Sequence, residues 1–187
     1  MILKLNSLLL LIFFQAQTIS FGQDLPKSKS NRLSVGIDQD LLPYILNGFI
    51  GTAWCGKGKM RVRVSYAEAN TPSFVLQDGF KKDRTHAVGV SGEYFFKEDF
   101  KGLWFGPGIG YWNNNIVTLQ NNASWKKSWV FSLGGGYNIP LWKGLYTSPW
   151  LALHTRIAGS NSVYVSNIKY TPMLFTPEVS VKLGWKF

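Results

Sequence analysis

The chain has 187 residues, a formal net charge of +10, 45% hydrophobic and 16% aromatic residues, and a single cysteine. That apolar content excludes a disordered chain, and one cysteine excludes a disulfide scaffold. Charged residues reach only 16%, against about 25% in ordinary soluble domains, so much of the surface is expected to face something other than water.

In chain order, the first feature is a leader. Lys4 gives a positive start, Leu5 to Phe14 is nearly all apolar, and Ser20 and Gly22 are small residues before a possible cut ahead of Gln23. This reads as a secretory signal peptide over residues 1–22, with one barrel domain over residues 23–187. The apolar stretch is shorter than the ~20 residues a spanning helix needs. Removing Lys4 lowers the net charge by one and leaves a basic exported chain. Nucleic acid is a poor partner for it, because no basic helix is present. Lipid phosphates fit better. Cys55 is expected to be a small buried hydrophobe.

The mature chain carries the strand period of two. Met60, Val62, Val64 and Tyr66 alternate with Arg61, Arg63, Ser65 and Ala67. Trp129, Phe131 and Leu133 alternate with Val130, Ser132 and Gly134. Met173 through Phe187 places Val179, Val181, Leu183 and Trp185 on one face, with Glu178, Ser180, Lys182 and Lys186 on the other. Eight strands follow: Leu33–Asp40, Ile45–Cys55, Lys59–Ala69, Thr85–Phe96, Leu103–Trp112, Trp125–Ile139, Leu145–Ile157 and Met173–Phe187, the register of the first two being open. After a brief first link, the connections alternate short and long. Outer-membrane barrels alternate their turns and loops in this way, and an even strand count puts both ends on one side.

Two facings are possible, and the smaller face decides between them. Gly106, Gly108, Gly110, Gly134, Gly136, Ala87, Gly89 and Ser91 suit a narrow interior. The bulky face suits lipid, and lipid contact also accounts for the missing charge. Aromatics near strand ends (Tyr94, Phe95 and Phe96; Trp125 and Trp129; Trp185 and Phe187) are expected to form interfacial girdles. The fold class is therefore all-β, an eight-stranded antiparallel up-and-down transmembrane β-barrel.

The segment Val179-Ser-Val-Lys-Leu-Gly-Trp-Lys-Phe187 resembles the C-terminal assembly signal of bacterial outer-membrane β-barrel proteins. Gly106-Pro-Gly-Ile-Gly-Tyr111 and Gly134-Gly-Gly-Tyr137 are similar to segments of the small barrel families. The resemblance implies outer-membrane lipid as surroundings and handling by the barrel-assembly machinery, with Trp185 and Phe187 as the signal. A monomer is expected.

The interior face collects Arg61, Arg63, Glu93, His154, Arg156, Glu178, Lys182 and Lys186. Confined charges must pair or be hydrated. A structural ion-pair network is one reading, and a polar passage or anion site with excess positive charge is the other. Lipid A deacylases of this barrel size use a His–Ser pair, but His154-Thr155-Arg156 lacks a Ser two places on. No serine-hydrolase elbow, zinc-protease motif or paired-cysteine metal pattern is present, and no cofactor is expected. Lys81, Lys82, Arg84, Lys126, Lys127 and Lys169 are expected in or beside outer loops, where they can reach lipopolysaccharide phosphates. The leading expectation is a non-enzymatic outer-membrane barrel with a structural or loop-mediated surface role. The alternatives are a narrow passage for small apolar or anionic solutes, and a lipid A-modifying enzyme centred on His154.

Overall fold

The computed structural model describes residues 32–187; the expected leader lies outside the described residues. Ten strands run in chain order: β1 (Leu33–Asp40), β2 (Phe49–Lys57), β3 (Met60–Asn70), β4 (Phe80–Phe95), β5 (Gly102–Thr118), β6 (Ala123–Trp142), β7 (Leu145–Gly159), β8 (Val163–Val165), β9 (Ile168–Tyr170) and β10 (Phe175–Lys186). Eight of them close an antiparallel barrel in the order β1-β10-β7-β6-β5-β4-β3-β2, while β8 and β9 pair only with each other. The seam is β1 against β10, with Gly36 opposite Lys186 and Asp40 opposite Lys182. Closure leaves no sheet edge to be covered.

The period of two produces two opposite faces. Val62, Val64, Leu133, Leu153, Val179 and Val181 are exposed on the outside. Arg61, Arg63, Glu93, Trp104, Ser148 and Lys182 are buried inside. The face assignment made from the sequence is the one observed. Phe95 is an exception among the expected girdle residues: Tyr94 and Phe96 are exposed, but Phe95, between them, is fully buried in the lumen. Strand parity requires this, since consecutive side chains face opposite ways. Cys55 is likewise not a buried hydrophobe. It is exposed on the outer face, because its neighbours Trp54 and Gly56 take the inward positions.

The two ends differ. At the turn end, β2–β3, β4–β5 and β6–β7 are joined tightly. Lys143 (φ 38°) and Gly144 (φ 96°) make the last of these turns, and a Cβ on Gly144 would lie 2.4 Å from the Lys186 carbonyl oxygen. At the loop end the strands run further than expected. The second strand starts at Phe49 because Leu42–Ile45 form a helical turn, α1, with Pro43 in its first positions. Asn113 to Ser124 is not one long loop. β5 continues to Thr118 and β6 begins at Ala123, so Asn113, Asn114 and Asn115 pair with Lys127, Lys126 and Trp125. Polar residues on both faces hid this extension from a hydrophobic pattern. Lys81, Lys82 and Arg84 accordingly stand on β4, and Lys126 and Lys127 on β6. The loop after β7 holds the β8–β9 hairpin, whose Val165 and Tyr170 pack with Phe80 and Ile116 in a small apolar cluster.

Candidate functional site

The lumen is divided by a packed layer of buried side chains. Arg61 and Arg63 on β3 face Glu93 on β4, across the neighbouring pairs Arg61–Glu93 and Arg63–Ser91. Arg61 Nε lies 2.5 Å from Glu93 Oε2, and Arg63 Nη1 lies 2.7 Å from Glu93 Oε1. The other arm of Arg63 donates to Asp38 on β1. The Tyr146 hydroxyl donates to the second Asp38 oxygen at 2.8 Å and accepts from Trp54 Nε1 at 2.8 Å. The Arg61 guanidinium lies over the rings of Trp54 and Phe95, 4.8 and 4.9 Å from their centroids. Phe100 closes the turn end from below. Asp99 and Phe100 both take positive φ (60° and 58°), which carries a backbone cost for residues with a side chain. Phe100 is buried against Trp54 and Phe95 in return.

Lys182 on β10 completes this floor. Its Nζ sits 4.2 Å from the Trp150 ring centroid, 4.7 Å from that of Trp104 and 4.0 Å from Glu93 Oε1. Trp150 Nε1 in turn donates to Asp40. Arg61, Arg63 and Lys182 thus meet Asp38, Asp40 and Glu93, three cations against three carboxylates. The structure brings Arg61, Arg63, Glu93 and Lys182 of the expected set together, with Asp38 and Asp40 balancing the three cations. The two β1 carboxylates and Tyr146 were missed. Their signal was the alternation of Asp38 and Asp40 with Ile37 and Gln39, in the strand whose register the sequence left open.

Above this layer is a cup. A cavity of about 690 Å³ opens at the loop end, with Lys182, Glu93 and Trp104 at its base. A smaller cavity of about 300 Å³ lies at the turn end, beneath Arg61 and Tyr146. The ion-pair layer separates the two. The cup owes its width to the glycine-rich wall of β4, β5 and β6. Its mouth is apolar, formed by Leu42 and Leu46 near α1, Phe74 and Val75 between β3 and β4, and Met173 and Leu174 before β10.

No protein-family model and no curated protein matches the chain in sequence. In three dimensions the chain is similar to the crystal structure of Neisserial surface protein A (NspA), with a TM-score of 0.57 and 12% identity over 83% of this chain and 97% of that one. It also aligns with a major outer membrane protein from Thermus thermophilus, with a TM-score of 0.46 and 14% identity over 83% of this chain and 98% of that one. The likeness to NspA is one of fold.

The remaining candidates separate by height. His154 on β7 and Glu178 on β10 do not join the floor. They pair with each other higher in the cup, His154 Nε2 lying 2.8 Å from Glu178 Oε2. The second ring nitrogen, Nδ1, lies 2.7 Å from Ser132 Oγ. Ser132, on β6, was not anticipated. Sequence spacing along β7 does not reveal it, because it reaches His154 from the neighbouring strand as its direct cross-strand partner. Arg156 donates to the Asn161 side chain at 3.2 Å. Lys186 lines the lower cavity. Trp185 lies near the end of β10 and Phe187 directly follows it, its amide donating to the Val35 carbonyl across the seam.

Of the expected basic loop set, Lys126 is buried and Arg84 pairs with Glu68. Lys81 donates to Asn121, and Lys127 and Lys169 are exposed. Over this rim leans the β8–β9 hairpin. Tyr170 donates to Asp83 at 2.8 Å, and Gln77 exchanges two hydrogen bonds with the Thr171 backbone. Burial first, and then the Asp83 carboxylate, push the Tyr170 phenol above its ordinary value.

Proposed function

We infer that the protein is an integral outer-membrane barrel that works at its outer end, by loop-mediated surface interaction and by taking a small amphiphile into the cup, and not by conduction. The observation that carries this reading is the floor: a neutral, fully packed ion-pair layer lies beneath an open cavity with an apolar rim. The cavity is within the size range of small-molecule sites. The exposed belt of Val, Leu and Phe side chains supports a place in lipid, with the turn end periplasmic and the loop end outside. In that orientation Lys81, Lys82 and Lys127 on the raised wall are the residues for lipopolysaccharide phosphates. Trp185 and Phe187 would serve as the assembly signal.

Planar-bilayer recording of the purified protein, beside titration with a fluorescent fatty amphiphile, tests the reading. The expected result is no unitary conductance together with saturable, displaceable binding. Clear conductance steps in the wild-type protein would instead support a narrow passage for small solutes.

A further inference from the structure

Within the cup, one group of side chains has an arrangement that plugging the lumen does not require. Ser132, His154 and Glu178 come from three consecutive strands of the barrel, β6, β7 and β10. The hydroxyl is 2.7 Å from one imidazole nitrogen and the carboxylate is 2.8 Å from the other. A carboxylate accepts only, so Nε2 carries the proton and donates to Glu178. In the neutral imidazole Nδ1 is then the free base, and it accepts from the Ser132 hydroxyl. This is the order nucleophile, base, orienting acid. Trp112 holds the imidazole from the side, its ring centroid 5.3 Å away. All four side chains line the cup.

Space for a substrate lies beside the nucleophile. The residue paired with Ser132 on β5 is Gly108, and Gly134 follows Ser132 at the next inward position on its own strand. Neither projects a side chain over the hydroxyl, so a carbonyl carbon can approach it from the axis. Arg156 follows His154 by two residues on the same inward face of β7, roughly 7 Å along the strand. The rim of Leu42, Leu46, Phe74 and Leu174 favours a substrate with an aliphatic part.

We propose that Ser132, His154 and Glu178 form a serine-hydrolase site for aliphatic acyl esters that enter the cup from the loop end. The Ser132 proton passes to His154 Nδ1 as Oγ bonds to the acyl carbon. The ester C–O bond breaks, and the imidazolium returns that proton to the leaving oxygen, releasing the alcohol. Water then attacks the acyl-serine and gives a proton to His154. The acyl–Oγ bond breaks, Oγ takes the proton, and the carboxylic acid leaves. Glu178 stabilises the imidazolium in both halves. The inference rests on the cup being open to ligand, and it adds a reaction to the binding proposed above.

The test uses the folded protein in detergent micelles, with heat-modifiable migration as the check on folding. An alkyl fluorophosphonate is added, the adduct is mapped by mass spectrometry, and hydrolysis of short and medium-chain p-nitrophenyl esters is followed. The expected adduct is on Ser132, with ester turnover abolished in Ser132→Ala and reduced about a hundredfold in His154→Gln. A heat-denatured sample should show no adduct. Mapping on the wild-type chain needs no variant to fold. Amphiphile binding without an adduct on Ser132, and without turnover above Ser132→Ala, overturns the hydrolytic site and leaves the binding cup standing. Loss of both removes the two readings together. An adduct without stable binding supports the reaction and counts only against amphiphile capture.

Discussion

Glu93 is where the floor is most exposed to a single change. It accepts from both arginines and lies near Lys182, so its carboxylate balances charge on three buried side chains. Glu93→Gln keeps the shape and removes the charge, leaving three buried cations against two carboxylates. Breaking a buried pair of this kind costs about 3–5 kcal/mol, and urea titration of the heat-modifiable band should show a loss of that order. The Arg84–Glu68 pair is a contrast, with side chains about a third exposed at 32% and 27%. Glu68→Gln should cost less than about 1 kcal/mol by the same titration. Backbone proximity separates two glycines just as sharply. A Cβ on Gly106 would sit 1.7 Å from the Gly92 carbonyl oxygen, whereas one on Gly92 would meet nothing within 4 Å. Gly106→Ala is therefore expected to lose about 1–3 kcal/mol through forced backbone movement, while Gly92→Ala should fold as the wild type does.

The β8–β9 hairpin has three-residue strands, too short to be stable alone. Its order comes from Val165 and Tyr170 packing on Phe80 and Ile116, and from the Tyr170–Asp83 hydrogen bond. Tyr170→Phe keeps the packing and strands a carboxylate oxygen. Hydrogen exchange at residues 163–170 should accelerate by the equivalent of about 1.5–3 kcal/mol, with barrel amides unchanged. Because the folded phenol titrates above the ordinary value of 10, the docking contribution is complete below that pH. It is lost as pH rises from there through the raised value, so protection of the hairpin should fall only in strong alkali. This element was illegible in the sequence, where Gly159 to Pro172 offers turn residues and no run long enough to alternate. The barrel strands were legible because an exposed apolar face on one side and a narrow lumen on the other enforce alternation over many residues. Where both faces are polar, as at Asn113–Asn115, that constraint lapses and the strand ends were misplaced. The candidate site divides along the same line. Parity alone placed Arg61, Arg63, Glu93, His154, Glu178 and Lys182 inside. Which of them would touch depended on cross-strand register, and so the Ser132–His154 pair and the β1 carboxylates required the structure.

Over the whole molecule, in the membrane setting proposed above, strand length marks where the hydrocarbon would end. A tilted barrel strand crosses the hydrocarbon with about 9–11 residues. β1 and β2 have 8 and 9, whereas β5 and β6 have 17 and 20. In that setting the surplus would stand clear of lipid on one side of the barrel, and its residues suit this: the Asn113–Asn115 run faces Lys126 and Lys127 there, above the Val and Leu belt. That one-sided wall is what the hairpin leans on. Nitroxide labels distinguish this arrangement from a barrel whose bulky side chains meet a dry protein core. With Cys55 replaced by Ser, labels at Val64, Leu133 and Val181 should collide freely with oxygen, which concentrates in hydrocarbon, and be shielded from a water-soluble nickel chelate. Labels at Lys127 and Tyr164 should show the reverse preference. A label at Leu133 shielded from both reagents would mean that the outer face is packed against protein. The charge deficit, the raised wall and the outward-facing cup would then lose the lipid that connects them.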